Sequence, residues 1–215
     1  MSWETILDEG FEGRFEDWQE IGELTVPEGW TPVWREGTEA GIDHRPECDR
    51  ERDRPRSGSS AAKMFTVHAS HTGALAKRMS VRAGERVRVV AWGATWKDEC
   101  GHGLRVGIDP DGGLDFEAES VVWSSWWGQY NSDWTPEAYH EFSAVAEPEG
   151  DYVTVFLYSH SDYKGSVVAA YWDDVVIEQE GGGGIEPPQT GDLAAAVEVL
   201  AAAVEALAAA VEALA

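Results

Sequence analysis

The chain concentrates tryptophan in a segment that is otherwise polar. It contains 11 tryptophans among 215 residues, and residues 119–134 read ESVVWSSWWGQYNSDW. Flat aromatic rings stack on the C–H faces of sugars, while neighbouring Asp, Asn, Gln and Arg side chains hydrogen-bond to the hydroxyl groups. The pattern therefore favours a cleft that binds glycans. The candidate binding residues are Trp30, Trp34, Trp96, Trp123, Trp126, Trp127, Tyr130 and Trp134.

Tryptophan also packs protein cores, so these rings fall into two groups. We expect Trp92 and Trp172 to be core residues. Trp126, Trp127 and Trp134 lie in a stretch rich in Gly, Ser and Asn, which favours exposure. An exposed aromatic loop would serve equally well as a contact with another protein.

Two carboxylates near the ends of the β-rich region form a second candidate site. In YWDDVVIE (171–178), Val175 and Ile177 are expected to face the core, and the period of two along a strand places Asp173 on that face. An unpaired buried carboxylate is costly. If Glu12 meets Asp173 where the first and last strands join, the two acids repel unless a cation binds both, and Ca²⁺ suits such oxygen ligands. Backbone donors or an arginine beside Asp173 are the alternative.

These short motifs resemble those of the carbohydrate-binding modules of the calcium-containing jelly-roll type. The resemblance rests on GFE (10–12), a central SG (57–58) before a strand, and the closing YWDDV (171–175). Such modules typically open with NPGFE, whereas this chain reads DEGFE. The resemblance implies one structural Ca²⁺, held by the Gly10 carbonyl, the Glu12 carboxylate, the Ser60 carbonyl and the Asp173 carboxylate. It does not extend to the glycan ligand.

Residues 1–180 are predicted to form an all-β domain, a jelly-roll β-sandwich. Alternating or β-branched runs recur at short intervals between Gly, Pro and Asp, and no stretch sustains a helical period. This many strands after an irregular opening imply two packed sheets. Long loops at 26–34 and 44–58 are where a rigid sandwich usually carries function. The predicted strands are 61–68, 74–81, 85–96, 103–109, 119–125, 139–147, 151–160 and 166–179.

The chain is strongly acidic, with 40 Asp and Glu against 16 Lys and Arg and a net charge of −24. That field repels nucleic acid and anionic membranes, so neither is expected as a partner. The sequence contains no nucleophile elbow, HExxH motif, P-loop or dinucleotide fingerprint, so we expect a non-catalytic protein. A glycosidase with paired carboxylates is the enzymatic alternative.

Features that report on the compartment point in different directions. Cys48 and Cys100 fit either a disulfide or free thiols, so they leave the redox compartment open. The chain starts MSWETILDEG, without the basic and apolar regions of a signal peptide. Its acidity suits an exposed setting, and we expect an extracellular protein or one on a virion or cell surface.

The C-terminal residues predict a helix that associates with copies of itself. Residues 193–215 repeat a heptad of the form LAAAVEx after a Gly/Pro linker at 181–192. Valine at a and leucine at d form a coiled-coil seam, and alanine leaves the helix apolar around its circumference. Three glutamates in this helix argue against membrane insertion. The seam residues are Leu193, Val197, Leu200, Val204, Leu207, Val211 and Leu214.

Together these features predict a homo-oligomer that displays non-catalytic glycan-binding modules multivalently through its helix. The alternative is a structural subunit of an extracellular filament, surface layer or virion, in which the helix forms the assembly core. The apolar circumference of the helix favours the structural subunit, whereas the tryptophan-rich loops favour the glycan binder.

Deleting residues 185–215 should leave a folded monomer, because the deletion removes the whole predicted seam. Light scattering of the full and truncated chains measures the change in mass. A truncated chain that keeps the full oligomer size would show that the assembly contact lies outside the tail.

Overall fold

The chain folds into two β-sheets packed face to face. A computed structural model describes residues 2–37, 42–97 and 99–181, and the predicted linker beyond Gly181 and the predicted helix lie outside the described residues. The described helical structure is one 3-10 turn at Trp18–Glu20. The strands are β1 (Ser2–Glu9), β2 (Phe15–Asp17), β3 (Thr25–Pro27), β4 (Thr31–Trp34), β5 (Glu47–Glu51), β6 (Ala61–Val67), β7 (Thr72–Ser80), β8 (Val87–Thr95), β9 (His102–Asp109), β10 (Val122–Trp123), β11 (Trp127–Gly128), β12 (His140–Ala146), β13 (Tyr152–Ser161) and β14 (Val167–Gly181).

Strands that are distant in sequence pair within each sheet. The first sheet has the order β12–β8–β14–β6–β5, and β1 also pairs with β14. The second sheet has the order β10–β9–β13–β7–β4, and β11 also pairs with β9. Strands β2 and β3 form a separate two-stranded sheet. The pairing of β1 with β14 confirms that the first and last strands meet.

The main core lies between the two sheets and is built by residues with a period of two. Val87 and Val89 face it from β8, and Val153 and Val155 face it from β13; all four are fully buried. Burying each such side chain stabilises the fold by roughly 1.5–3 kcal/mol. A second apolar cluster covers the outer face of the second sheet. Its buried members are Ala74, Ala76, Phe116, Val121, Phe156 and Tyr158.

The predicted all-β sandwich is confirmed, and all but one of the predicted strands lie within a few residues of their expected positions. The exception is 119–125, where only Val122–Trp123 is a strand. The opening, predicted to be irregular, contains β1 to β5. Within the described ranges, no helix has the length and apolarity needed to cross a membrane.

A β-bulge in β14 overturns the predicted orientation of Asp173. The register of β14 against β8 shifts just after Asp173, and Asp174 adopts the left-handed region at φ 47°. Trp172 and Val175 therefore both face the core, on either side of the bulge. Asp173 pairs with Trp92 on the opposite face. The predicted shared face of Asp173 and Val175 is wrong, because the bulge resets the alternation.

Both cysteines are buried, and neither is in a disulfide. Cys48 lies in the main core, and burial raises the pKa of its thiol to about 12. Since the thiolate is the reactive form, Cys48 is inert near neutral pH. Of the two states that the sequence left open, the structure has the one without a disulfide.

Two buried histidines form a polar cluster inside the sandwich. Ser159 Oγ lies 2.7 Å from Nε2 of His71 and 2.8 Å from Nε2 of His102. The two rings make an edge-to-face contact with centroids 5.6 Å apart. Burial lowers the pKa of His71 to about 3 and lowers the pKa of His102 well below its ordinary value. Both rings are therefore neutral at pH 7.

Acidification from pH 6.5 to about pH 5 should lower the free energy of unfolding by about 3 kcal/mol. The folded pKa values of His71 and His102 lie below the unfolded value of 6.5. The unfolded chain therefore binds more protons, and stability falls as the pH falls. Urea unfolding at stepped pH measures the slope. The variant His68→Asn, at an exposed position, should keep that slope. Equal stability at the two pH values would contradict the neutral buried pair.

Candidate functional site

Two tryptophan rings lie directly on the backbone of β9, where glycines make room for them. Gly103 lies beneath Trp126, and a methyl group at Gly103 would stand 2.6 Å from the ring nitrogen of Trp126. Gly107 lies beneath Trp123, and a methyl group there would stand 2.6 Å from the ring. Any larger residue at either position would lift the ring from the strand. The glycines therefore fix where the two rings sit.

Arg105 lies between the two glycines, on the same face of β9. The central carbon of its guanidinium is 3.9 Å from the ring centroid of Trp123, 4.8 Å from that of Tyr158 and 6.0 Å from that of Trp126. Burial lowers the pKa of Arg105, which nonetheless stays charged near pH 7 because an arginine begins far above that range. We call Trp123, Arg105 and Trp126 the tryptophan platform.

The platform is held from below by the outer apolar cluster of the second sheet. The ring centroid of Tyr158 lies 5.2 Å from that of Trp123 and 6.2 Å from that of Trp126. Phe116 packs against Tyr158 with centroids 5.6 Å apart. Packed rings lose little further freedom when a ligand binds, so this support pre-organises the platform.

Polar groups border the platform on the side of Trp126. The ring centroid of His160 lies 6.1 Å from that of Trp126. His160 Nδ1 contacts the Thr72 hydroxyl at 2.7 Å, and His160 Nε2 contacts Asp162 Oδ1 at 3.2 Å. The Tyr130 hydroxyl donates to Asp162 Oδ2 at 3.0 Å, and Tyr130 is 68% exposed. The site thus combines flat apolar rings with hydroxyl, carboxylate, imidazole and guanidinium groups.

Two of the predicted binding residues, Trp30 and Trp127, are buried, and the expected exposure of Trp127 is wrong. Trp127 is 5% exposed and stacks on His140, with centroids 4.7 Å apart. Trp30 is 2% exposed and packs against Phe11. Trp127 pairs with Leu104, whose side chain lies in the core, so strand register directs Trp127 inward. Neither ring can stack on a ligand in this structure.

Three further candidates are half-buried at separate places. Trp34 lines a groove of about 570 Å³ with Trp18, along the edge strand β4. Trp96 lies under the guanidinium of Arg54 on the outer face of the first sheet. Trp134 donates its ring N–H to the Thr95 hydroxyl at 2.9 Å. Of the predicted aromatic set, the structure brings together Trp123 and Trp126, with Tyr130 at the border.

Trp92 and Trp172, both predicted to be core residues, lie on opposite faces of the first sheet. Trp172 is fully buried in the core, as predicted. Trp92 is half-buried on the outer face, where the guanidinium carbon of Arg56 lies 3.7 Å from its ring centroid. The prediction for Trp92 is therefore wrong.

Sequence reasoning missed Arg105 and Tyr158. A signal was available in GLRVG (103–107), where glycine, arginine and glycine alternate with core residues. That alternation leaves two gaps on one strand face, flanking a cation.

Glu12 holds the loop that precedes β6. Its Oε1 accepts hydrogen bonds from the backbone N–H groups of Ser59 and Ser60 at 2.7 and 3.0 Å, and its Oε2 accepts from the Ser59 hydroxyl at 2.5 Å. These hydrogen bonds, led by the Ser59 hydroxyl, lower the pKa of Glu12. The Ser60 hydroxyl donates to the Phe11 carbonyl at 2.7 Å.

Asp173 holds the start of the same loop. Its Oδ2 accepts from the backbone N–H groups of Arg56 and Ser57 at 2.8 and 3.1 Å, and its Oδ1 accepts from the N–H of Asp174 at 2.8 Å. Asp173 has no exposed surface, and burial raises its pKa although the three backbone donors oppose that shift. The backbone-donor arrangement that the sequence left open is thus present.

The region around Glu12 and Asp173 contains the types of oxygen atom that a hard cation binds. Glu12 and Asp173 bind one loop, and a methyl group at Gly10 would lie 4.0 Å from both Glu12 Cγ and Asp174 Oδ1. Carboxylate and carbonyl oxygens are the ligands that Ca²⁺ prefers. In the part of the chain that the structure describes, no three acidic, histidine or cysteine side chains converge to hold a metal. Backbone carbonyls, including those of Gly10 and Ser60, would therefore complete any such site.

Comparison with known proteins identifies relatives by fold alone. No protein-family model and no curated protein matches the chain. Its structural neighbours include the CBM22-1 xylan-binding domain of Paenibacillus barcinonensis Xyn10C, at a TM-score of 0.50 and 13% identity over 84% of this chain and 97% of that one. A second neighbour is the CBM22-1–GH10 structure of Clostridium thermocellum endo-1,4-β-D-xylanase 10B complexed with xylohexaose, at a TM-score of 0.51 and 12% identity. It matches over 84% of this chain and 29% of that one. The chain thus shares the β-sandwich fold of carbohydrate-binding modules.

Proposed function

We propose that this protein is a non-catalytic glycan-binding module and that the tryptophan platform is its binding site. The observation that carries the proposal is the placement of Trp123 and Trp126 on two glycines of one strand, with Arg105 between them. The ring centroids of Trp123 and Trp126 lie 3.9 and 6.0 Å from the same guanidinium carbon of Arg105, so the two rings are at most about 10 Å apart. Rings within that distance would contact neighbouring sugars of a chain.

The chemistry of the platform suits a neutral sugar chain. Aromatic rings attract the C–H faces of sugars, and the guanidinium of Arg105 offers N–H donors to ring and hydroxyl oxygens. His160 and Asp162 add hydrogen-bonding groups beside Trp126. The shared fold with xylan-binding domains supports this assignment.

Replacing both platform tryptophans, as in Trp123→Ala/Trp126→Ala, should weaken glycan binding at least tenfold, because each stacked ring contributes on the order of 1 kcal/mol. A glycan array followed by calorimetry on the best ligand measures the loss. Gly103→Ala should act in the same direction, since its methyl group would displace the Trp126 ring. Trp127 stays intact in these variants, because its loss would open the core.

Trp34→Ala is the matched control, since Trp34 is a half-buried tryptophan away from the platform. Binding that survives loss of both platform rings but not the control substitution would move the site to the β4 groove. Silence across the array would instead favour a structural subunit whose aromatic surface contacts other copies. Release of reducing ends from a bound glycan would contradict a non-catalytic role.

We also propose one structural Ca²⁺ held by Glu12, Asp173 and the carbonyls of Gly10 and Ser60. Such an ion would hold the first strand, the loop before β6 and the last strand together, adding to the hydrogen bonds already present. Its chemistry would be purely structural, since the platform uses none of these residues.

Chelation of calcium should lower the melting temperature, because a ligand that binds only the folded state stabilises it by mass action. Glu12→Gln should have a lower melting temperature than the wild type in calcium, and chelator should not lower it further. The exposed control Glu28→Gln should keep the wild-type melting temperature in calcium and its fall in chelator. Unchanged melting in chelator, together with no calcium in elemental analysis, would remove the metal site.

The C-terminal helix would gather several modules into one homo-oligomer. Linking weak sites raises the effective concentration of each for the next, so a multivalent array binds a polysaccharide far more tightly than one module. Extracellular or surface polysaccharides are the natural ligands for such an array. The structural subunit of a filament, surface layer or virion remains the alternative, favoured by the apolar circumference of the predicted helix.

A further inference from the structure

A second groove, away from the platform, lies beside β5, the last strand in the order of the first sheet. It has a volume of about 700 Å³ and lies between the β2–β3 hairpin and β5. Four basic side chains line it: Arg14, Arg50, Arg52 and Lys63. A volume of this size accommodates a small ligand or a few sugar units.

Carboxylates lie near these four basic side chains, and Asp49 pairs with Lys63 across β5 and β6, but none of the four forms a close ion pair with a described residue. Within the described residues, none of them lies within 4.0 Å of a carboxylate oxygen. Arg50 instead lies over the Phe15 ring at 4.3 Å and donates to the Gly13 carbonyl. The arginines that do form ion pairs are Arg35, Arg45, Arg54, Arg56, Arg82, Arg86 and Arg88.

The balance of charge in this groove differs from that of the whole chain. The chain carries 40 acidic residues against 16 basic ones, so its overall field repels anions. The four basic side chains outnumber the three carboxylates that line the same groove, which makes the groove locally more favourable to an anion than the rest of the surface.

Carboxylates in the groove restrict which anion fits. Asp49, Glu51 and Asp53 also line it. Glu51 is 7% exposed and accepts the N–H of Asp53 at 2.7 Å, while Asp49 accepts the N–H of Arg50 at 2.7 Å. Alternating charges of this kind repel a dense polyanion. They admit a ligand whose negative charges are single and well separated.

We propose that this groove binds a carboxylate-bearing sugar, such as a uronic acid unit of an acidic polysaccharide. Guanidinium groups bind carboxylates in a two-pronged geometry, which gives orientation as well as attraction. The Phe15 ring beside Arg50 supplies an apolar surface at the same place. The groove would thus add recognition of an acidic sugar to the neutral recognition proposed for the platform.

Calorimetry with trigalacturonic acid at low and physiological ionic strength tests the groove. The wild-type chain should bind the trimer, and Arg14→Gln/Arg52→Gln should weaken binding about tenfold or more, since hydrogen bonds between charged groups are strong. Binding should also weaken as salt rises. Both arginines are exposed, so the variant should fold normally.

Arg82→Gln/Lys97→Gln is the matched control, because it removes two basic residues outside the groove, and it should bind the trimer as the wild type does. The platform variant Trp123→Ala/Trp126→Ala should also keep this binding. Binding of the trimer by this variant does not depend on whether the platform binds a glycan. The experiment therefore tests the groove independently of the proposed function of the platform.

Three outcomes would overturn the proposal. These are no binding of trigalacturonic acid, equal binding by the groove variant and the wild type, and equal or tighter binding of dextran sulfate through the same arginines. The last outcome would identify a general anion patch rather than a site for carboxylate-bearing sugars.

Discussion

The alternation of side chains along β9 is the constraint on which both the core and the candidate binding face depend. Leu104, Val106 and Ile108 enter the main core from one face of the strand, and each is fully buried. Gly103, Arg105 and Gly107 therefore point to the other face. A slip of one residue in register would place the arginine in the core and the leucine under the tryptophans. Hydrophobic burial thus fixes the positions of Gly103, Arg105 and Gly107 on the outward face, although none of the three belongs to the main core.

The two outer faces of the sandwich differ in whether the arginines beside their aromatic rings also form ion pairs. On the first sheet, Trp92 and Trp96 lie beneath Arg56 and Arg54, and both arginines are also paired with carboxylates. That face is closed by its own cation–π contacts and ion pairs. On the second sheet, Arg105 lies between rings and forms no ion pair within the described residues. Its guanidinium hydrogen-bonds to Tyr158 instead, so its charge is not neutralised by an ion pair, and this distinguishes the sheet that carries the candidate site.

Sequence patterns predicted the strands and the meeting of the first and last strands, because both follow from local alternation and from short motifs. The bulge after Asp173 was not predictable, since YWDDVV contains no residue that forces an extra position into a strand. The sequence also did not predict that Trp126 lies on the outer face while Trp127 is buried in the core. Adjacent residues of a strand point to opposite faces, and pairing of Trp127 with Leu104 decides which ring goes inward. That pairing joins residues distant in sequence, so the composition of the loop alone could not predict it.

The glycines of β9 also make the spacing between the two rings a discrete quantity. Outward positions on a strand recur every two residues, or about 6.6 Å. A ring can lie flat only where the outward residue has no side chain, so its location moves along the sheet in whole steps of that size. Moving one glycine by two positions would change the distance between the two rings, and with it the spacing of the sugars that they would contact. A change of sequence can therefore shift a ring along the strand only in steps of two residues, and not by intermediate distances.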